Sequence, residues 1–257
     1  MRTPRSILIT GASSGIGAAL ARAYAAPGVT LALCGRDAAR LDAVALSCEE
    51  RGAKVQAALV DVTDGQACAR WIDDADSIAP LDLVVANAGV SAGTSGGEGF
   101  FRETAETVRR IFAINVDGVL NTVLPAIPVM RARGRGQIAI MSSLAAFVGS
   151  PGAAAYCATK AAGRLYGEAL RRELGKDGIE VSVVCPGFVR TPLTENNDFY
   201  MPLAIDADRA ARIIQRGLRR NRPRIAFPWP MYALVWLGAA LPAGLTDSLM
   251  RRLGRNR

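Results

Sequence analysis

The chain has 257 residues, half of them apolar, a net charge of +8, five cysteines and no histidine. That length buries a sizeable core, and an α/β chain of this size, residues 1–257, is expected to form a single domain. Without histidine, serine–histidine triads are excluded and the commonest transition-metal ligand is missing, so no metal site is expected. Acid–base work falls to carboxylates, lysine or tyrosine.

The charge is uneven. Residues 1–205 carry twenty basic and twenty acidic side chains, whereas residues 206–257 carry eleven arginines against Asp206, Asp208 and Asp247. The amino terminus, Met1-Arg2-Thr3-Pro4-Arg5, leads into a short apolar strand with no long apolar run and no cleavage site. The cysteines at 34, 48, 68, 157 and 185 show no paired spacing and read as reduced thiols. Both features point to a cytoplasmic protein.

Ser6–Thr10 reads as a strand, followed by Gly11-Ala12-Ser13-Ser14-Gly15-Ile16-Gly17 and an alanine-rich helix to about Ala26. A glycine turn between strand and helix makes a phosphate cradle: the backbone can approach an anion, and the helix start offers free N–H groups. A glycine motif alone is also compatible with a plain turn; the flanking elements favour the nucleotide. The next strand, Val29–Cys34, ends at Gly35-Arg36-Asp37, where dinucleotide folds meet the adenosine ribose. An acidic residue there suits the 2′-hydroxyl of NAD and an arginine the 2′-phosphate of NADP, so Arg36, with Arg40 one turn on, favours NADP over NAD. The alternative for Arg36 is a solvated loop residue.

A helix over 39–51 precedes a strand at 54–60 that closes at Asp61-Val62, and a strand at 81–86 closes at Asn87-Ala88-Gly89. Alternating strands and helices predict a parallel sheet covered by helices on both faces, with these strand ends gathered at its ligand-binding edge. The glycine- and serine-rich loop over 90–99 is expected to flank a substrate. Residues 103–130 read as helix, with Pro125 and Pro128 kinking or ending it. Asn115 lies within an apolar stretch of that helix, where its amide needs partners: a structural kink or part of a polar relay.

A strand from Gln137 ends at Ser143, and Tyr156 and Lys160 follow in a small-residue helix. A spacing of four puts phenol and ammonium on one helix face. A fixed cation favours the phenolate, and lowering its pKa by roughly 3 units is worth about 4 kcal/mol. Ser143 is placed to hold a substrate oxygen beside the phenol. Tyrosine and lysine at this spacing also occur as a half-buried ring and a solvated charge, so the pair gains weight only from its surroundings. Cys157 reads as a small packing residue. A last strand, 180–185, runs into Pro186-Gly187-Phe188-Val189-Arg190-Thr191-Pro192.

Thr10-Gly11-x-x-x-Gly15-Ile16-Gly17, Asp61, Asn87-Ala88-Gly89, Asn115, Ser143, Tyr156-x-x-x-Lys160 and Pro186-Gly187, in this order, resemble the short-chain dehydrogenase/reductase family in its single-domain form. The resemblance spans about Ile7 to Thr191. It implies a Rossmann-type doubly wound sheet and an NADP-dependent oxidoreductase acting on a small-molecule substrate, a ketone or secondary alcohol, with NAD dependence or a catalytically idle NADP-binding scaffold as alternatives. By the same resemblance Tyr156 is the acid/base, Lys160 lowers its pKa and meets the nicotinamide ribose, Ser143 orients the carbonyl, and Asn115 supports a water-linked relay. The cofactor set it implies is Gly11, Ser13, Ser14, Gly15, Ile16, Gly17, Arg36, Asp61, Val62, Asn87, Ala88, Gly89, Tyr156, Lys160, Pro186, Gly187, Val189 and Thr191. The family often has a basic residue where Ser14 stands when NADP is used, which leaves the preference resting mainly on Arg36. A homodimer or homotetramer is also implied.

Beyond Thr191 the resemblance thins. A loop over 193–205 is expected to cover the substrate, with Phe199, Tyr200 and Met201 as apolar contacts. A helix over 206–220 shows Arg209, Arg212, Arg216 and Arg220 on one face. Residues 224–230 read as a strand and turn, and 231–245 as an apolar stretch broken at Pro242. This tail, residues 190–257, packs over the cleft or against another subunit in one reading. In a second it attaches peripherally to a membrane, with arginines at anionic headgroups and Trp229, Tyr232 and Trp236 at the interface. The stretch is too short to span a bilayer, and an arginine face alone does not point to nucleic acid.

Overall fold

In β1 (Ser6–Ile9), successive side chains alternate between the two faces of the strand, Ile7 and Ile9 to one side and Leu8 to the other, and all three are fully buried. A strand apolar on both faces has to be covered on both. The computed structural model describes residues 3–91, 103–150, 152–195, 200–242 and 244. The chain continues through α1 (Gly15–Tyr24), β2 (Thr30–Gly35), α2 (Ala38–Glu49), β3 (Lys54–Leu59), α3 (Gly65–Ile78), β4 (Leu83–Ala86), α4 (Ala105–Phe112), α5 (Gly118–Ala132), β5 (Gly136–Met141), α6 (Ala154–Leu174) and β6 (Ile179–Pro186). It closes with β7 (Val189–Arg190), α7 (Pro192–Glu195), β8 (Ile205–Asp206), α8 (Ala207–Arg219), β9 (Arg224–Phe227) and α9 (Trp229–Ala240).

Seven strands form one parallel sheet in the order β3-β2-β1-β4-β5-β6-β9, and β7 pairs with β8 in a small parallel ladder. On one face Ile7, Ile9, Leu31, Leu33 and Val85 meet α1, α2 and α8 through Leu20, Leu41, Val44, Ile214 and Leu218. On the other, Leu8, Val84, Ile138 and Ile140 meet α3, α5 and α6 through Ile72, Val123, Leu170 and Leu174. Truncating one of these fully buried leucines to alanine typically costs about 2–5 kcal/mol. The expected doubly wound parallel sheet is the observed one. Its order reverses between β1 and β4, which puts the ligand crevice at the carboxyl ends of those two strands.

Two expectations are corrected. The strand expected over 81–86 begins at Leu83; the Leu81 N–H is turned to Asp76 Oδ1 at 2.9 Å. Of the two outcomes expected at Pro125 and Pro128, an ending is not the one seen: the helix runs through both, as α4, a π-helical turn at Ala113–Asp117, and α5. Each proline withholds one backbone donor, from the carbonyls of Asn121 and Leu124 four residues earlier. Leu124 and Pro128 are exposed and Asn121 is half-buried, so water can take up those carbonyls.

The described part of the tail from β9 through α9 is built into the fold. β9 extends the sheet along β6, from Val183 opposite Arg224 to Pro186 opposite Phe227. Helix α9 then lies against the short turn at Leu144–Ala146, with Val148 near Gly238 and Tyr232 edge-on to Phe147 at 5.6 Å. This is the arrangement expected of a segment packing over the cleft.

Candidate active site

The glycine loop leaves β1 at Thr10, and two of its glycines need left-handed backbone: φ is +64° at Gly11 and +56° at Gly15. Gly17 is required by space, since a Cβ there would stand 2.3 Å from the Gly11 carbonyl oxygen. Helix α1 begins at Gly15, and its N-cap Ser14 makes no side-chain capping bond, so the first N–H groups stay without a side-chain partner. Ser13, Ser14, Gly15 and Ile16 line a cleft of about 1080 Å³ at that end of the helix. The Thr191 side chain stands across from Gly15, 3.2 Å from where a Cβ would begin.

Asn87 shapes this loop more than it faces the cleft. Its Nδ2 donates to the carbonyls of Thr10 (2.9 Å) and Gly11 (3.2 Å), while Thr10 Oγ1 accepts from the N–H groups of Asn87 (3.0 Å) and Ala88 (3.1 Å). Thr10 is thus a site residue absent from the predicted set; its signal is a hydroxyl on the first residue after an apolar strand.

At the end of β2, Arg36 is exposed on the cleft wall, with no ion pair of its own among the described residues. Arg40 is paired with Asp37 at 3.2 Å, and Asp37 also caps α2 by accepting from the Arg40 N–H. Asp61, at the end of β3, accepts from the Thr63 N–H and hydroxyl, both at 2.9 Å. The N–H bond, aided by the Thr63 hydroxyl and the Arg36 charge, holds its carboxyl below the usual range. Val62 is buried against Gly118 and leaves only its edge to the cleft.

The π-helical turn carries Asn115 inward, fully buried. Its Oδ1 accepts from the Val90 N–H (2.8 Å), and its Nδ2 donates to the Val90 carbonyl (2.9 Å) and Thr159 Oγ1 (3.1 Å). The amide acts as a clamp on the chain after Gly89, both Nδ2 donors being used and one lone pair of Oδ1 remaining. A π-turn does leave helix carbonyls without their ordinary partners.

Ser143 caps the turn after β5, its Oγ accepting from the Ala145 N–H (3.1 Å) and donating to the Pro186 carbonyl (3.3 Å), and it lines the cleft together with Tyr156. Tyr156 opens on the cleft, and Lys160, 4 % exposed, lies behind it, with Nζ 5.7 Å from the ring centroid. Nζ donates to the Met141 carbonyl at 3.0 Å. It also lies 3.1 Å from where a side chain at Gly89 would begin, beside Asn115 Oδ1, so only glycine leaves this space open. The expected lowering of the phenol by the lysine is not the dominant effect here. Burial raises the Tyr156 phenol above its ordinary value, the Ser143 hydrogen bond working the other way, and burial lowers the Lys160 ammonium to about 8. The Cys157 thiol is also raised by burial, which suits packing and not attack.

The remaining predicted residues lie after β6. Gly187 donates its N–H to the Phe227 carbonyl at 2.7 Å and faces Met231; Val189 turns its side chain into the core and offers only backbone to the cleft. Tyr200 lines the cleft, Met201 is half-buried, and Phe199 lies outside the described residues. Sequence reasoning missed Ser142, whose hydroxyl donates to the Lys160 carbonyl at 2.7 Å, and Thr159, which holds Asn115. It also missed Glu103, whose Oε2 accepts from the Ala155 N–H at the start of the Tyr156 helix, and Met231 and Val235, by which α9 walls the cleft. Ser142 carried a weak signal as the neighbour of Ser143. The others depend on contacts distant in sequence.

The cradle fits a dinucleotide: Gly11 and Gly15 supply the left-handed backbone of the turn, Gly17 lets the turn close on itself, and the uncapped start of α1 and Arg36 line the cleft where phosphates need partners. A family model for short chain dehydrogenase matches residues 5–199. The chain is similar to an uncharacterized oxidoreductase of Myxococcus xanthus, 38 % identical over 250 residues and covering 97 % of each chain. Among solved structures, it resembles a short-chain dehydrogenase from Sphingobium yanoikuyae in complex with NADPH (28 % identity, TM-score 0.77, 96 % of this chain and 93 % of that one). It also resembles a short chain dehydrogenase/reductase from Burkholderia phymatum in complex with NAD (25 % identity, TM-score 0.80, 89 % and 90 %). Fold, cleft and similarity agree: the chain belongs to the short-chain dehydrogenase/reductase family, oxidoreductases that use a nicotinamide cofactor on CH–OH groups.

Proposed function

We propose that the chain interconverts a ketone and a secondary alcohol with NADP, Tyr156 giving and taking the proton. One observation carries the reading: Ser143, Tyr156 and Lys160 line the same cleft, and the buried Lys160 ammonium lies 5.7 Å from the centroid of the Tyr156 ring. When bound, the nicotinamide supplies the hydride for reduction and accepts it in oxidation. In the reducing direction a carbonyl oxygen takes the place between the two hydroxyls, Ser143 Oγ donating to it while the Tyr156 hydroxyl passes its proton to the forming alkoxide. Lys160, with a pKa of about 8, stabilises the phenolate left on Tyr156 and can release a proton near neutrality. Asn115 acts by positioning, holding the chain after Gly89 away from that ammonium.

The NADP preference rests on Arg36, which has no ion pair among the described residues, whereas the neighbouring carboxylate of Asp37 is held by Arg40 and by the start of α2. The substrate wall supports an apolar carbonyl compound, with Leu144, Val148, Phe188, Met231 and Val235 along it. Phe112, Leu124 and Leu165 are exposed on α4, α5 and α6, which suits a homodimer through these helices; a monomeric mass by light scattering would refute that part. The test of the main reading is NADPH consumption over a series of ketones of rising chain length, with Tyr156→Phe in parallel. Turnover is expected to vanish in the variant while NADPH binding, followed by fluorescence, persists. Equal rates in the two proteins would overturn the assignment of Tyr156.

A further inference from the structure

The face made by the end of α8, β9 and α9 has two features that the catalytic cleft does not use. The first is a separate cavity of about 380 Å³ with Arg216, Arg220, Arg222 and Arg224 on its walls, Trp229 and Tyr232 at one side, and no carboxylate among its lining residues. Arg224 is committed to Glu168 and to the Tyr232 hydroxyl. Arg220 and Arg222 are exposed, and neither has an ion pair among the described residues. A cation near the last turn of α8 complements the helix dipole, which accounts for Arg216 and Arg220 but not for Arg222 beyond the helix.

The second feature is α9, twelve residues without a charge. Met231 and Val235 turn toward the cleft, but Trp229 is 69 % exposed, Leu234 71 % and Leu237 57 %. A contiguous apolar surface of this kind on the outside of a protein marks a contact with something apolar.

We propose that this face docks on an anionic phospholipid bilayer, the arginine cavity receiving headgroup phosphates while the outer side of α9 enters the interfacial layer. One partner has to satisfy both features. A small phosphorylated ligand would neutralise the arginines and leave Leu234 and Leu237 in water. A second copy docked through the same face could cover the leucines, but that face offers the arginines no carboxylate, since neither the cavity lining nor α9 contains one, and a nucleic acid offers phosphates without an apolar layer. A bilayer with acidic headgroups presents negative charge and apolar depth together. The charge distribution agrees, since the whole excess of positive charge lies in residues 206–257.

The test is flotation of the full chain with neutral phosphatidylcholine vesicles and with vesicles containing phosphatidylglycerol. The protein is expected to float with the anionic vesicles and to be released by salt. The double variant Arg220→Glu/Arg222→Glu is expected to lower partitioning by roughly tenfold or more, and Leu234→Asp/Leu237→Asp to abolish it. Unchanged melting temperatures show that both variants are folded, so the result does not depend on any enzymatic assay. Absence of flotation with anionic vesicles, equal flotation with neutral ones, or flotation blind to both variants overturns the proposal. So does saturable binding of inorganic phosphate, lost in the arginine variant, without flotation. A solution mass that halves in the leucine variant while vesicles are ignored would assign the face to a second copy and overturn it as well.

Discussion

Lys160 works against the stability of the fold that holds it. Its ammonium is buried, has one hydrogen bond to the Met141 carbonyl, and is brought by burial from 10.5 to about 8. That displacement costs the folded state about 3 kcal/mol at pH 7. Below pH 8 both folded and unfolded chains carry the charge and the cost is full. Between pH 8 and 10.5 the folded chain has released a proton that the unfolded chain still binds, so stability rises with pH and the cost shrinks. From pH 7 to pH 9 the relief amounts to about 1 kcal/mol. Lys160→Met removes the cost but takes a donor from the Met141 carbonyl, a loss of about 1–3 kcal/mol if no water replaces it. At pH 7 the variant should therefore be as stable as the parent or up to about 2 kcal/mol more stable. By pH 9 the difference should have moved about 1 kcal/mol in favour of the parent. Urea unfolding at the two pH values measures this. The thiols of Cys34 and Cys185, pushed up to about 12 by burial, lower stability as pH rises past 9, but they are common to both proteins and cancel in the difference. A difference that stays constant from pH 7 to pH 9, or moves the other way, would refute a buried, depressed Lys160.

Arg36→Asp is expected to weaken NADPH binding by roughly 10–100-fold, the value of a charge-assisted bond, with NADH unaffected or improved; an unchanged preference in titrations would remove Arg36 from that role. Gly17→Ala sets a Cβ 2.3 Å from the Gly11 carbonyl and 2.6 Å from Asn87 Nδ2. It should lower stability by about 1–3 kcal/mol and erase the rise in melting temperature given by NADPH. Gly149→Ala, with nothing within 4 Å of the new carbon, should change neither. Asn115→Ala leaves the Val90 N–H and carbonyl without their clamp and should cost about 1–3 kcal/mol. Its kcat should fall while Kd for NADPH stays near that of the parent, and a retained kcat would count against the positioning role.

The sheet was legible in the sequence because parallel strands buried on both faces read as unbroken apolar runs, such as Ile7-Leu8-Ile9 and Leu83-Val84-Val85-Ala86. The glycine loop and the Tyr156–Lys160 pair were legible because local geometry fixes their spacing. What escaped is what depends on distant partners. Nothing around Glu103 indicates that its carboxylate reaches the Ala155 N–H, and nothing around Thr10 shows that it serves Asn87 and Ala88, 77 and 78 positions on. That the helix runs on through Pro125 and Pro128 was not legible for a related reason: a proline ends a helix when its orphaned carbonyl has no other partner, and exposure along α5 was not visible in the residue types. The phenol of Tyr156 was expected to be governed by Lys160, whereas the surrounding packing governs both groups before any ligand enters.

The family match ends at residue 199, but the sheet does not end there. Its outer strand comes from residues 224–227, and Arg224 on that strand reaches Glu168, two turns beyond Lys160 on the same helix, and the Tyr232 hydroxyl at the base of α9. Arg164, also paired with Glu168, lies over the ring of Phe147, four residues after Ser143. The wall that α9 gives the cleft and the helix that bears Tyr156 are thus bolted to one hub. The tail cannot slide as a unit, because any displacement of β9 pulls through Arg224 and Glu168 on the helix that carries Tyr156. It is a fixed bracket, and a chain cut back at the edge of the family match would lose the bracket together with the wall it carries.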